Sequence, residues 1–321
     1  VKESMKIIDL LNSSQKTAFS FEILPPLKGN SFARVCGIID KLREFDPKYI
    51  NITTHHSETI YTDTGNGFLK KSNIRKRPGT VAIAAAIQHQ YNITAVPHII
   101  CKGFTKDETE YALIDLNFLG VHELLLLRGD SNRLEKDRIE PGQSHDHTTG
   151  LIEQVNNFNQ GIAVDGSSFE KMETPFSYGV ACYPEKHEEA PNMTSDVAFL
   201  KKKIAMGAEY AVTQMFFDNQ KYFDFVEACR QEGITVPIIP GIKPIVFKNQ
   251  LTVLPKVFRS DIPEALALEL LKCKTDEEAK QVGIEWTIMQ CKELMAKNVP
   301  SIHFYTLMAS ESVRQIAKAI Y

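Results

Sequence analysis

Glu22 sits in the run Phe19-Ser-Phe-Glu22-Ile-Leu-Pro-Pro26, an apolar stretch closed by two prolines. Phe, Ile and Leu suit a half-buried strand, and proline cannot donate to a sheet ladder, so a strand must stop near Leu24. With a period of two, Phe19, Phe21 and Ile23 share one face while Ser20, Glu22 and Leu24 share the other. A carboxyl buried there is costly unless it is paired or protonated. A buried ion pair is the ordinary explanation. The chemical one is an acid kept protonated for delivery to a substrate.

Further groups of the same kind follow. Leu124-Leu-Leu-Leu127-Arg128-Gly129-Asp130 ends a continuous apolar run in a cation, a glycine that permits close backbone approach, and a carboxylate. Pairing of Arg128 with Asp130 across a tight turn is the structural alternative. Tyr183-Pro-Glu185-Lys-His187 leads through Ala190 and Asp196 to Lys201-Lys202-Lys203. An aromatic, an imidazole and a basic helix turn in that order could wrap an anionic cofactor, or could form a solvated loop and a charged helix face. His55-His56 and His145-Asp-His147 have no third ligand at fixed spacing, so they read as loop histidines and no metal is expected. Neither GxGxxG nor GxxxxGK[ST] is present, so any nucleotide must be held in another way.

The elements that position these groups alternate along the chain. Strands are expected at 19–24, 48–53, 94–100, 122–128, 177–182, 209–215, 236–242 and 301–306. Helical patterns fall at 31–45, 77–91, 106–119, 149–160, 194–206, 219–232, 247–258 with 263–272, 276–297 and 309–320. Thr105 and Thr275 stand where N-caps belong, and Gly207 and Gly233 where C-caps belong. Strand followed by helix, repeated, predicts a (β/α)8 barrel spanning the whole chain as one domain, with a doubly wound open sheet as competitor. Glu22, Thr53, His98, Arg128, Gln214 and Tyr305 all fall at strand ends. Polar residues gathered at one end suit a barrel mouth better than a sheet covered on both faces. Segments 54–76 and 131–148 read as long polar loops, and 161–176 as an irregular delay before the fifth strand.

Composition narrows the function. The 321 residues carry a net charge of −3 and 43% hydrophobic content, with no basic field for nucleic acid and no polybasic membrane anchor. No apolar run reaches about 18 residues, as a spanning helix would require. The six cysteines lack CxxC spacing and mostly fall in apolar segments, as reduced buried thiols do, so a cytoplasmic setting is expected. The chain begins on Val1, and its opening residues carry little weight.

Seven motifs occur in a fixed order: Phe21-Glu22 with Pro25-Pro26, Pro97-His98, Leu127-Arg-Gly-Asp130, Tyr183-Pro-Glu-x-His187, Thr213-Gln214-x-Phe-Phe-Asp218, Ile239-Pro-Gly-Ile242 and His303-Phe-Tyr-Thr-Leu307. In this the chain resembles the methylenetetrahydrofolate reductase family from about residue 19 to 320. The resemblance implies a (β/α)8 barrel holding FAD and reducing 5,10-methylenetetrahydrofolate to 5-methyltetrahydrofolate by a ping-pong use of NADH or NADPH. It makes Glu22 the general acid and Asp130 a carboxylate near flavin and pterin. It places Thr53, His98, Arg128, Gly129, Asp130, Tyr183, His187, Ala190, Asp196 and Lys203 around FAD, with Lys202 and the His147-Thr148 pair as further contacts. Gln214 and Tyr305 match positions facing folate or nicotinamide. The lack of a long C-terminal extension is expected of a bacterial-type member that consists of the catalytic domain only.

Two departures matter. Thr54-His55 stand where the family often has an aromatic and a glycine. Met308-Ala309 stand where it commonly has Asn-Arg, so another cation must hold the folate glutamate or the pyridine nucleotide. A homo-oligomer is expected, with exposed faces of 276–297 and 309–320 either forming the interface or covering the barrel. Two alternatives are another FAD barrel oxidoreductase of proline-dehydrogenase type, and a folate- or flavin-binding barrel that receives electrons from a partner redox protein. For Glu22 to act as an acid, its pKa must be raised. Phe19 and Phe21 lie on the other face, so other strands or the flavin must supply the apolar walls.

Overall fold

The computed structural model describes residues 5–55, 57–129, 139–140, 142–307 and 309–321. Its strands are β1 (Ala18–Ile23), β2 (Tyr49–Ile52), β3 (Glu58–Asp63), β4 (Leu69–Ile74), β5 (Thr94–Ile100), β6 (Glu123–Leu127), β7 (Ser177–Cys182), β8 (Tyr210–Thr213), β9 (Ile238–Ile239), β10 (Gly241–Ile242) and β11 (Ser301–Phe304). Its helices are α1 (Ile7–Ser13), α2 (Ala33–Leu42), α3 (Thr80–Tyr91), α4 (Lys106–Phe118), α5 (Thr148–Asn159), α6 (Met193–Ala205), α7 (Asn219–Gln231), α8 (Gln250–Phe258), α9 (Glu264–Lys272), α10 (Asp276–Ala296) and α11 (Ser310–Ile320). Each strand expected from the sequence is present within a few residues, and so is each helix. The short α1 was not foreseen; it is anchored by buried Ile7 and Leu11.

Nine strands pair in the order β10-β11-β1-β2-β5-β6-β7-β8-β9. β9 and β10 are halves of one strand, parted by Pro240, whose nitrogen has no hydrogen to donate. One half pairs in parallel with β8 and the other with β11. Counting the halves as one gives eight strand positions, each parallel to its neighbours in the registers observed. This is the (β/α)8 TIM-type fold class, and the doubly wound alternative is set aside.

By contact the chain divides into two compact units. One comprises residues 1–4, 25–35 and 52–177, and the other residues 5–24, 36–51 and 178–321. In the first, residues 54–76 hold more than a loop. Glu58 pairs with Ile74 and Asp63 with Leu69 in an antiparallel hairpin. Its turn is tied by the Gly65 amide donating to Asp63 Oδ1 at 2.8 Å and the Thr64 amide donating to the Phe68 carbonyl at 3.1 Å. The sequence hid this pair because Leu69–Ile74 is largely exposed and shows no apolar alternation. In the same unit, Asn159 of α5 exchanges two hydrogen bonds with the Phe176 backbone, at 2.9 and 2.8 Å, and so fixes the end of the 161–176 segment.

In the second unit, Phe19 and Phe21 pack outward with Phe304, and Phe19 also meets Phe45 and Tyr321. Helix α10 lies so close to the segment after β10 that a Cβ on Gly283 would stand 2.0 Å from the Ile245 carbonyl oxygen. The apolar faces of α10 and α11 are buried within this unit, as a covering role requires. The N-caps expected at Thr105 and Thr275 are both formed, and each is a capping box in which Glu108 or Glu278 returns a bond to the cap.

Candidate functional site

β1 fixes Glu22. Phe21 is in register with Phe304 of β11, which is in register with Ile242 of β10. These three point outward, so one residue later Glu22, Tyr305 and Lys243 point inward side by side. The ladder continues to this layer, since the Tyr305 amide donates to the Ile242 carbonyl at 2.9 Å. Glu22 and Lys243 are each only 6% exposed. Burial pushes the Glu22 carboxyl up to about 8, and the Lys243 ammonium opposes that rise. Burial correspondingly lowers Lys243, which the Glu22 charge partly restores. Both explanations of Glu22 from the sequence therefore touch this site, but burial outweighs the cation and the proton stays at neutral pH.

The layer beneath supports it. Ser20 Oγ lies 3.0 Å from His303 Nδ1, and the His303 ring stacks on Tyr49 and meets Tyr305 edge-on. The Tyr305 hydroxyl donates to the Thr213 carbonyl at 2.5 Å, and Thr213 Oγ1 accepts from the Gly241 amide at 2.9 Å. Gly241 is needed here, because a Cβ would stand 2.5 Å from Tyr305 Cε2 and 2.3 Å from the Thr213 oxygen. Gln214 is half-buried, and its Oε1 accepts from the Met215 amide at 2.9 Å.

The segment from β7 to α6 gathers most of the other residues of this unit. The Tyr183 and His187 rings meet edge-on with centroids 4.7 Å apart. The His187 amide donates to Asp196 Oδ2 at 2.8 Å, and Ala190 is buried. Lys203 donates to the Ala181 carbonyl at 2.7 Å, and burial lowers its pKa against the pull of Cys182 and Asp196. Lys202 lies on the exposed side of α6, apart from this group. Behind the segment, Glu185 lines a shallow cavity of about 270 Å³ with Pro184, Met193, Lys221, Asp224, Phe225 and Asp261. Burial raises Glu185 to about 7. None of the residues singled out for FAD or folate lines it.

In the other unit His98 is buried at the end of β5, and burial drives its pKa down to about 3, so the imidazole is neutral. Its carbonyl accepts from the Thr54 hydroxyl, and Thr53 Oγ1 lies 3.2 Å from His55 Nε2. Arg128 is half-buried, and its Nε donates to the Asp146 carbonyl at 3.1 Å, beside the start of α5 at Thr148 with His147 as its cap. Gly129 has φ 85°, a left-handed conformation that favours glycine. Asp130 and Met308 lie outside the described residues.

Lys243 and Thr213 were not singled out as site residues from the sequence. Lys243 carries the same signal as Glu22, a charged residue at the end of an apolar strand, but the Ile239-Pro-Gly-Ile242 motif drew attention to the backbone instead.

The layered strand ends and the eight-position parallel sheet define a TIM-type barrel protein with a buried acid. The methylenetetrahydrofolate reductase family profile matches residues 6–321. The chain belongs to that family. A probable NADPH-dependent methylenetetrahydrofolate reductase of Caenorhabditis elegans is 29% identical over 98% of this chain and 43% of its own length. An NADH-dependent methylenetetrahydrofolate reductase of Arabidopsis thaliana is 28% identical over 96% of this chain and 49% of its own. The chain thus spans less than half of each of these two relatives. A 5,10-methylenetetrahydrofolate reductase of Buchnera aphidicola is 30% identical over 97% of this chain and 94% of its own. Among solved structures, a Clostridium thermocellum protein described as binding two copies of 5-methyl-5,6,7,8-tetrahydrofolic acid shares the fold, with a TM-score of 0.58, 16% identity and 98% coverage of both chains. No described helix is long and apolar enough to cross a membrane.

Proposed function

We propose that the protein reduces 5,10-methylenetetrahydrofolate to 5-methyltetrahydrofolate with NADH or NADPH, using FAD in a ping-pong cycle. The observation that carries this reading is Glu22: a carboxyl only 6% exposed at a strand end, whose pKa burial raises to about 8, in a family whose relatives are named for this reaction.

The residues present fit a flavin nucleotide. Taken separately, Arg128 and the left-handed Gly129 in one unit offer a cation and close backbone approach, and the Tyr183–His187 ring pair, Asp196 and Lys203 in the other offer a stacking surface, an acceptor and a cation, all of them chemistry that such a group uses. Thr53, His98 and Ala190 are assigned to the same cofactor, with His147 and Thr148 as further contacts, and Lys202, on the exposed side of α6, is left out. FAD supplies the hydride relay that no side chain can.

The methylene bridge of the folate accepts hydride only once its ring has opened to an iminium cation. Opening needs a proton on the departing nitrogen, and Glu22 holds one at the pH of the reaction. Asp130 is given the part of stabilising the cationic iminium, separate from that of the acid. Tyr305 presents its ring to the folate or nicotinamide, its hydroxyl being engaged by Thr213.

The test is spectroscopic. The purified protein should be yellow with bound FAD, bleach anaerobically with NADH or NADPH, and regain colour on adding methylenetetrahydrofolate, with methyltetrahydrofolate as product. A protein that binds no FAD would remove the proposal. One that is bleached by nucleotide but not reoxidised by folate would remove the substrate.

A further inference from the structure

Lys243 is the residue of the Glu22 layer that the proposed chemistry leaves without a task. It is 6% exposed, at the end of β10, and flanks Tyr305 on the side opposite Glu22. Burying an ammonium is expensive, and lysine is rarely so covered unless its charge is used. An apolar residue would fill the same strand-end position at no such cost. We propose that Lys243 is a positioning residue for folate reduction, its buried ammonium governing when Glu22 gives up its proton. This rests on Glu22 being the acid.

Within this unit the titratable groups seen around the layer include His303 of β11 and Tyr305 just after it, Tyr49 of β2, Cys182 at the end of β7 and Tyr183 just after it. Burial raises Tyr305 and Cys182 well above their ordinary values and also raises Tyr49, so these three are neutral at physiological pH. Lys243 acts on Glu22 against the rise that burial causes. Without it, burial would hold the carboxyl protonated to higher pH. The proton would then be harder to release to the departing nitrogen, and the carboxylate left behind harder to keep. With it, the acid is poised nearer to neutrality, where proton transfer is most effective. The two groups exchange influence, so the pH dependence belongs to the pair.

The experiment measures the single-turnover rate at which methylenetetrahydrofolate reoxidises the reduced, FAD-loaded protein, from about pH 6 to pH 10, the span between carboxylate-like and lysine-like titration. Wild type, Glu22→Gln, Lys243→Met, Lys243→Gln and Lys243→Arg are compared, with the visible spectrum of bound FAD reporting that each is folded. Wild type should lose rate as pH rises through about 8. Lys243→Met should move that loss upward by about one pH unit, the usual effect of removing a neighbouring opposite charge. Lys243→Arg should restore it towards wild type. Lys243→Gln carries the same expectation as the Met variant and replaces it if that one fails to hold FAD. A lower rate at every pH with an unmoved limb would make Lys243 merely structural and overturn the inference. Retention of rate and limb by Glu22→Gln would instead overturn the acid itself, whatever Lys243 does.

Discussion

Glu22 and Lys243 occupy one inward layer of the parallel sheet, on strands either side of β11, with Tyr305 between them. A carboxyl and an ammonium so placed, each 6% exposed, would ordinarily be taken for a structural ion pair. Burial decides otherwise. It raises the acid to about 8, and the cation only moderates that rise, so the carboxyl keeps a proton that it would have lost in a salt bridge.

Replacing Glu22 with Gln keeps the shape of the side chain and removes the acid. The variant should bind FAD and be reduced by pyridine nucleotide at near the wild-type rate. Its reoxidation by methylenetetrahydrofolate should fall by about 100-fold or more, the usual cost of losing a general acid. Stopped-flow absorbance of the flavin separates the two half-reactions.

Tyr305 should matter for its ring and not for its hydroxyl, which is turned to the Thr213 carbonyl. Tyr305→Phe loses that bond, at a cost of about 1 kcal/mol in stability, and should leave the folate KM within about twofold. Tyr305→Ala removes the surface itself and should raise KM by about tenfold or more, as losing a stacked aromatic does. Steady-state kinetics against folate concentration distinguish them.

His98 gives a stability prediction with a definite sign. Its folded pKa, about 3, lies below the 6.5 expected of an unfolded chain, so the unfolded state binds more protons between the two. The stability this neutral imidazole confers is complete above about pH 6.5 and is lost as pH falls towards 3. Urea unfolding should show this decline, and His98→Gln should flatten it over the same range. An equal decline in the variant would assign the acid sensitivity elsewhere.

Much of the fold was legible because its strands are buried on both faces. Such strands read as short apolar runs with punctuation, and Leu124–Leu127 is a plain instance. Pro240 was legible as a residue but not as a strand break, because no sequence rule says that its two flanks will pair with different neighbours. The β3–β4 hairpin was missed for the opposite reason: its strands are too exposed to carry a pattern. At the site, Glu22 stood out through its proline stop, whereas Lys243 could be recognised only once the register of β1, β11 and β10 showed which strand ends lie side by side.

The close approach of α10 is another feature that sequence alone did not reveal. Gly283 lies inside a 21-residue helix, where glycine is ordinarily a small liability. Here it admits the Ile245 carbonyl, which a Cβ would meet at 2.0 Å. Gly283→Ala should therefore destabilise the protein by about 1–3 kcal/mol, as overpacking does, in place of the gain expected in an open helix. Thermal unfolding of the two proteins at one pH reads this directly.

The proposed chemistry requires that Glu22 carry a proton at neutral pH. Infrared difference spectroscopy of the FAD-loaded protein, titrated with pH and compared with Glu22→Gln, reports the carbonyl stretch of this one carboxyl. A protonated band present at pH 7 and lost on passing through about 8 is the expected result. A carboxylate already ionised at pH 5 would contradict it.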